Sequence, residues 1–214
     1  MKFDKEKMRL YAITDRHCLN GRSLKEVVKE SLDGGVPFLQ LRDKNSDDET
    51  FLQEATELQE LCRDYKVPLI INDNVEIALK MNADGVHVGQ SDIKGRDIRA
   101  MIEPDKILGI SVGTVEEAQA AEKAGADYIG VGAVFGTSTK KNARNLSLEK
   151  LQEISSSVSI PVVAIGGINA SNLMELAGSG VDGVAVVSAI FAAKDPGQAT
   201  RELKVLAQKM VEHE

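Results

Sequence analysis

Short apolar runs alternate with amphipathic stretches from one end of the chain to the other. The apolar runs are Leu10–Ile13, Phe38–Leu41, Pro68–Ile71, Gly85–Val88, Ile107–Ser111, Tyr128–Gly132, Pro161–Ile165 and Gly183–Val187. Their brevity, with apolar residues on both faces, predicts parallel strands buried on two sides. The stretches between them carry helical periodicity and caps. Ser23 caps a helix that spaces Leu24, Val27, Val28 and Leu32 along one face. Asp47 starts a long helix reaching about Tyr65, and Val75–Met81 and Arg96–Ile102 read as shorter ones, the latter closed by Pro104. Thr114 caps an alanine-rich helix to Ala124, and Ser147 caps another. Asn169 or Ser171 opens a helix that Gly178 or Gly180 ends, and Pro196 opens a last one ending near Glu212. Residues 1–8 read as a helical or frayed lead-in.

Eight strands, each followed by a helix, imply a parallel sheet. A weak repeat adds to this: Gly34-Gly35-Val36, Asn82-Ala83-Asp84-Gly85, Gly125-Ala126-Asp127 and Gly180-Val181-Asp182-Gly183 each join a helix end to a strand. One copy per two βα units is what a closed eightfold barrel built from modules shows. The expectation is a single-domain (β/α)8 TIM barrel over residues 1–214. An open doubly wound sheet would want a glycine-rich phosphate turn after its first strand, and Thr14-Asp15-Arg16 is not one.

In a barrel the chemistry sits at the C-terminal ends of the strands, which selects the polar residues of interest. Gln40, Arg42 and Lys44 stand two apart after strand two and share a face if the strand continues; otherwise they belong to a solvated loop. Arg suits phosphate through its forked donors and Lys as a point charge. Asn72 and Asp73 end strand three, and Asp92 follows strand four; two such carboxylates can hold Mg²⁺ beside a diphosphate or cap helices. Ser111 ends strand five in a turn. Thr137, Ser138, Thr139 and Lys140 form a polar loop that reads either as a lid or as solvated surface. Gly166-Gly167, with Val187-Ser188, reads as a phosphate cup or as a tight turn. His87 lies inside an apolar run and reads as a core residue. No close histidine pair suggests zinc, no Ser-His-Asp order stands out, and nothing identifies a base for Cys18.

Composition narrows the classes. The chain has 214 residues, 43% hydrophobic and 28% charged, enough for one sizeable core. No apolar run approaches the roughly 20 residues that span a membrane, and the charged start MKFDKEKMRLY has no signal core. Cys18 and Cys62 form no metal or disulfide framework and suit a reducing cytoplasm. A net charge of −7 argues against broad nucleic-acid binding, so positive partners for a phosphate must be local.

Seven pieces in order then resemble one family. QLRDK at Gln40–Lys44, IND at Ile71–Asp73, DGVHVGQSD at Asp84–Asp92, GISVGT at Gly109–Thr114, ADYIGVGAVFGTSTKK at Ala126–Lys141, VVAIGGI at Val162–Ile168 and GVAVVSAI at Gly183–Ile190 are similar to the motifs of thiamine phosphate synthases. The resemblance implies a transferase joining hydroxymethylpyrimidine diphosphate to a thiazole phosphate, with small-molecule partners only. It implies that Gln40, Leu41, Arg42, Asp43, Lys44, Asn72, Ser111 and Lys140 bind the pyrimidine diphosphate. Arg42, Ser111 and Lys140 are then the residues nearest the chemistry. Asp73 and Asp92 would bind Mg²⁺, and Thr137, Ser138, Thr139, Gly167, Val187 and Ser188 would hold the thiazole phosphate. The family's dissociative reaction requires no nucleophilic side chain. Asn74, Ser91, Ile93-Lys94 and Ser138 depart from common family residues without removing a ligand. A sister family that tautomerises a thiazole carboxylate phosphate, and a non-catalytic phosphate-binding barrel, are the rival readings.

Overall fold

Eight parallel strands close on themselves in chain order. They are β1 (Leu10–Ile13), β2 (Phe38–Leu41), β3 (Leu69–Asn72), β4 (Gly85–Val88), β5 (Ile107–Val112), β6 (Tyr128–Gly132), β7 (Val162–Ile165) and β8 (Gly183–Val186). The computed structural model describes residues 4–136 and 146–213. The ring is sealed by β1 against β8, with Tyr11 paired to Ala185 and, on the other side, to Phe38. Helices α1 (Leu24–Asp33), α2 (Asp48–Asp64), α3 (Val75–Lys80), α4 (Ile98–Met101), α5 (Val115–Lys123), α6 (Leu148–Ser155), α7 (Ser188–Phe191) and α8 (Pro196–Glu212) surround it. Among the described residues no helix is long and apolar enough to cross a membrane.

The caps read from sequence form as bonded caps. Ser23 and Glu26 make a reciprocal capping box on α1, and Asp47, Thr114 and Ser147 each accept an amide of the first turn of α2, α5 and α6. Strand parity sorts the core into two layers. Leu10, Ala12, Leu39, Leu41, Leu69 and Ile71 face the helices, whereas Tyr11, Phe38, Ile70, Ile107, Tyr128, Val163 and Ala185 fill the barrel interior. The same parity sends Gln40, Asn72, His87 and Ser111 inward, one level closer to the C-terminal mouth.

The repeated helix–strand junctions have a job at the opposite face. The carboxylates of Asp84, Asp127 and Asp182 accept the amides of Leu69 (2.9 Å), Leu108 (2.8 Å) and Val162 (2.9 Å) at the starts of β3, β5 and β7. Three of the four copies thus satisfy a backbone N–H at the start of a strand. The Gly34-Gly35-Val36 copy carries no aspartate.

The connection between β7 and β8 departs from expectation. In place of a helix from Asn169 or Ser171 there is one 3₁₀ turn, Leu173–Leu176. Asparagine side chains compete for the backbone here. Asn169 Oδ1 accepts from the Ser171 amide (2.9 Å) and hydroxyl (2.6 Å), and Asn172 Oδ1 accepts from the Asn169 amide (2.9 Å). The short α7 was not expected, and β3 runs one residue further than its apolar run, which puts Asn72 in the sheet.

Candidate active site

The C-terminal mouth opens into a cavity of about 560 Å³. Gln40, Arg42, Lys44, Asn72, Asp73, Asp92, Ser111, Gly167, Val187 and Ser188 all line it. Six strand ends therefore deliver to one space the residues singled out from sequence. Leu41 and Asp43 do not line it: Leu41 is fully buried against the helix layer, as its outward parity requires. Thr137, Ser138, Thr139 and Lys140 lie outside the described residues. The Ala133 carbonyl accepts the Leu146 amide at 2.7 Å, joining the two sides of that loop.

The segment carrying Arg42 and Lys44 is pinned from two sides. Thr14, at the end of β1, accepts the Arg42 amide (2.9 Å) and donates to the Arg42 carbonyl (3.2 Å). Beneath it the Asp43 carboxylate accepts the Asn45 amide (2.8 Å), the Ser46 hydroxyl (2.7 Å) and Arg16 Nε (2.5 Å). Asp43 is an anchor, with its oxygens already taken. Burial pushes its carboxyl up, but the Ser46 and Asn45 donors and Arg16 outweigh this and hold it at about 2, below the ordinary 3.8. Asp43→Asn is expected to cost about 1–3 kcal/mol at neutral pH. A carboxyl with a depressed folded value stabilises above the unfolded value and loses that contribution as pH falls through the folded one. Melting curves of the two proteins should therefore converge between about pH 4 and pH 2; a gap that stays constant contradicts the anchor. With the backbone held, the Arg42 guanidinium faces the cavity and has no partner among the described residues.

Asp73 sits at the end of β3 with φ +62°, a left-handed conformation that is uncommon outside glycine. Its amide donates to the His87 carbonyl at 2.8 Å, and Lys44 Nζ stands 3.6 Å from its carboxylate. Burial, and then the charge of Asp92, raise the Asp73 carboxyl above its ordinary value, with Lys44 opposing. Asp92 Oδ2 in turn accepts the Gly89 amide at 2.8 Å. Two carboxylates from neighbouring strand ends thus crowd one side of the cavity, an arrangement that a divalent cation relieves. No group of three or more His, Cys, Asp or Glu exists among the described residues for a metal held by protein alone. Asn74 is used locally: it caps α3 through the Ile77 amide (3.0 Å) and donates to Asp48 (3.2 Å).

Gly166 and Gly167 line the cavity and also serve the packing of two loops. Both take positive φ, +107° and +67°. A Cβ on Gly167 would stand 2.1 Å from the Gly136 carbonyl oxygen and 2.7 Å from that of Phe135. The bare backbone is thus required for the loop after β6 to close against the loop after β7, before any ligand is considered. Asn169 and Asn172 fix the turn by donating to the Gly167 carbonyl (3.3 and 3.0 Å).

Several lining residues escaped the sequence reading. His87 lines the cavity, as do Ile13, Gln90 and Glu117. The alternation that grouped Gln40 with Arg42 also puts His87 inward on β4, so that signal was available. Glu117 reads as the fourth residue of a capping sequence, and its carboxylate does accept the Gly113 amide at 2.7 Å. No thiol is poised for attack: burial, then Asp15, pushes the Cys18 thiol up, and burial lifts Cys62 to about 12.

A (β/α)8 barrel with cations and paired carboxylates gathered at its C-terminal mouth defines a barrel enzyme suited to anionic, phosphorylated ligands. The family model described as thiamine monophosphate synthase matches residues 10–190. The thiamine-phosphate synthase of Clostridium tetani (strain Massachusetts / E88) is 47% identical over 194 residues, 91% of this chain and 93% of that one. That of Ruminiclostridium cellulolyticum is 48% identical over 203 residues, covering 95% and 93%. The solved thiamine phosphate pyrophosphorylase from Pyrococcus furiosus superposes with a TM-score of 0.87 at 41% identity, covering 97% of this chain and 98% of that one. The chain belongs to the thiamine monophosphate synthase family.

Proposed function

We propose that this barrel is a transferase of thiamine biosynthesis. It condenses 4-amino-2-methyl-5-hydroxymethylpyrimidine diphosphate with a thiazole phosphate, giving thiamine phosphate and diphosphate. The observation that carries this is the convergence of Arg42, Lys44, Asn72, Asp73, Asp92, Ser111, Gly167, Val187 and Ser188 on one cavity in a chain of this family. The whole chain acts as one catalytic domain. Its two free cysteines fit a cytoplasmic setting.

Arg42 and Lys44, with Lys140, take the diphosphate and neutralise the negative charge that grows as its bond to carbon breaks. Asp73 and Asp92 fit a Mg²⁺ ion, since Mg²⁺ needs only one or two carboxylates beside substrate phosphates and water. When bound, it would supply further charge stabilisation to the leaving diphosphate. Gln40, Asn72 and Ser111 orient the pyrimidine, and Gly167, Val187 and Ser188, with Thr137, Ser138 and Thr139, hold the thiazole phosphate at the opposite end. The reaction is dissociative: diphosphate departs, a pyrimidine cation forms, and the thiazole nitrogen attacks it. The apolar wall of Ile13, Ile165 and Val187 keeps water from the cation. The thiazole nitrogen carries no proton to remove, so the step needs no general base and no nucleophilic thiol.

Purified protein given both substrates and Mg²⁺ should release thiamine phosphate and diphosphate in equal amounts. Binding of both without turnover refutes the transferase and leaves a binding barrel. Turnover of a thiazole carboxylate phosphate alone selects the tautomerase.

A further inference from the structure

Five polar side chains form an unbroken hydrogen-bonded chain across the barrel interior, and both of its ends line the cavity. Gln40 Nε2 donates to the Tyr11 hydroxyl at 2.6 Å. The Tyr11 and Tyr128 hydroxyls are 2.8 Å apart, and that of Tyr128 is 2.9 Å from His87 Nδ1. His87 Nε2 is 2.8 Å from Ser111 Oγ. The links come from β2, β1, β6, β4 and β5. Tyr11 and Tyr128 are 1% and 0% exposed, so water does not stand in for a missing partner. Gln40 and Ser111 belong to the candidate site; the three residues between them have no part in the mechanism above.

We propose that Tyr11, Tyr128 and His87 are positioning residues that fix the hydrogen-bonding polarity of Gln40 and Ser111, and so make the cavity select an aminopyrimidine over its oxo counterpart. The inference rests on the transferase reading for the identity of the ring. The polarity follows from proton counting, because each tyrosine hydroxyl carries one proton. Tyr11 accepts from Gln40 and must give its proton to Tyr128. Tyr128 gives its own to His87 Nδ1. His87 is then the Nε2–H tautomer and donates to Ser111 Oγ, which leaves the serine proton for the cavity. At the other end Gln40 has committed its amide nitrogen inward, leaving its carbonyl oxygen for the cavity. The two ends therefore present opposite characters, an acceptor at Gln40 and a donor at Ser111. An aminopyrimidine offers the complement, an amino donor and a ring-nitrogen acceptor. Replacing the amino group by oxygen turns the donor into an acceptor and puts a proton on the adjacent ring nitrogen. A buried site built for one pattern rejects the other strongly.

The test compares kcat/KM for the aminopyrimidine diphosphate and its oxo analogue, with thiazole phosphate at saturation. Tyr128→Phe cuts the chain in the middle and lets both ends reverse. It is expected to reduce the amino-over-oxo preference by about tenfold or more, with the KM for thiazole phosphate unchanged. Tyr11→Phe frees only the Gln40 end and should reduce the preference by less. An unchanged preference in both variants overturns the proposal, as does an equal loss on both pyrimidines. A readout that needs no relay variant is ¹⁵N NMR of His87 in protein carrying His17→Gln and His213→Gln. The Nε2–H tautomer supports the chain as drawn, and the Nδ1–H tautomer overturns it. If unmodified protein turns over neither pyrimidine, the transferase reading falls and takes this inference with it. Normal turnover with an unaltered preference in the variants removes this inference alone.

Discussion

Asp92→Ala lowers turnover by at least about a hundredfold, equivalent to about 2.7 kcal/mol of lost transition-state stabilisation. The expectation comes from the crowding of two carboxylates at the ends of β3 and β4. Burial, and then the charge of Asp92, raise the Asp73 carboxyl, and Lys44 approaches it. Alanine also removes the acceptor for the Gly89 amide, so loss of activity alone would confound charge with loop structure. Asp92→Asn separates them, because its amide oxygen keeps that acceptor while the charge is gone. Both variants should lose activity and require more Mg²⁺ for half-maximal rate, and only alanine should lower the melting temperature. An asparagine variant with wild-type rate and wild-type Mg²⁺ dependence sinks the metal role of Asp92.

The second large effect is on stability. Gly109→Ala places a Cβ 2.2 Å from Tyr128 Cζ and 2.5 Å from His87 Nδ1. Neither ring can retreat. The Tyr128 ring is fully buried and meets the Tyr11 and Phe38 rings edge-on at 5.8 and 6.0 Å, while His87 is bonded at both nitrogens. Overpacking of this kind costs about 3 kcal/mol or more, which in a chain of this length lowers Tm by about 6–12 °C. Gly130→Ala is the contrast, since its Cβ would stand 3.3 Å from His87 Cε1 and needs only a small adjustment. Equal melting temperatures for the two variants would show that Gly109 makes no room for the rings.

The short apolar runs, the caps at Ser23, Asp47, Thr114 and Ser147, and the junction repeat were legible because each is a local signal. Strand parity and helix capping act over two to four residues. The seven family motifs are also local strings, and they pointed to the site through resemblance. The helix expected after Gly167 failed for a local reason too. Asn169 or Ser171 reads as a helix start, but the Asn169 and Asn172 side chains hold the backbone in turns. Asp43 was carried into the ligand set with its neighbours. It is an anchor because Arg16, twenty-seven residues earlier, reaches its carboxylate.

By itself the sequence determined the alternation of strand and helix, the parallel barrel and the strand ends that carry charge, since all of these follow from periods of 2 and 3.6 along a single chain. Tertiary structure alone decided that Gly167 makes way for the Phe135–Gly136 backbone, and that Asp73 is buried beside Asp92, which raises its carboxyl. It alone made His87 a link between Tyr128 and Ser111. Each of these depends on the distance between atoms brought together by closure of the ring, and no spacing along the chain encodes that distance.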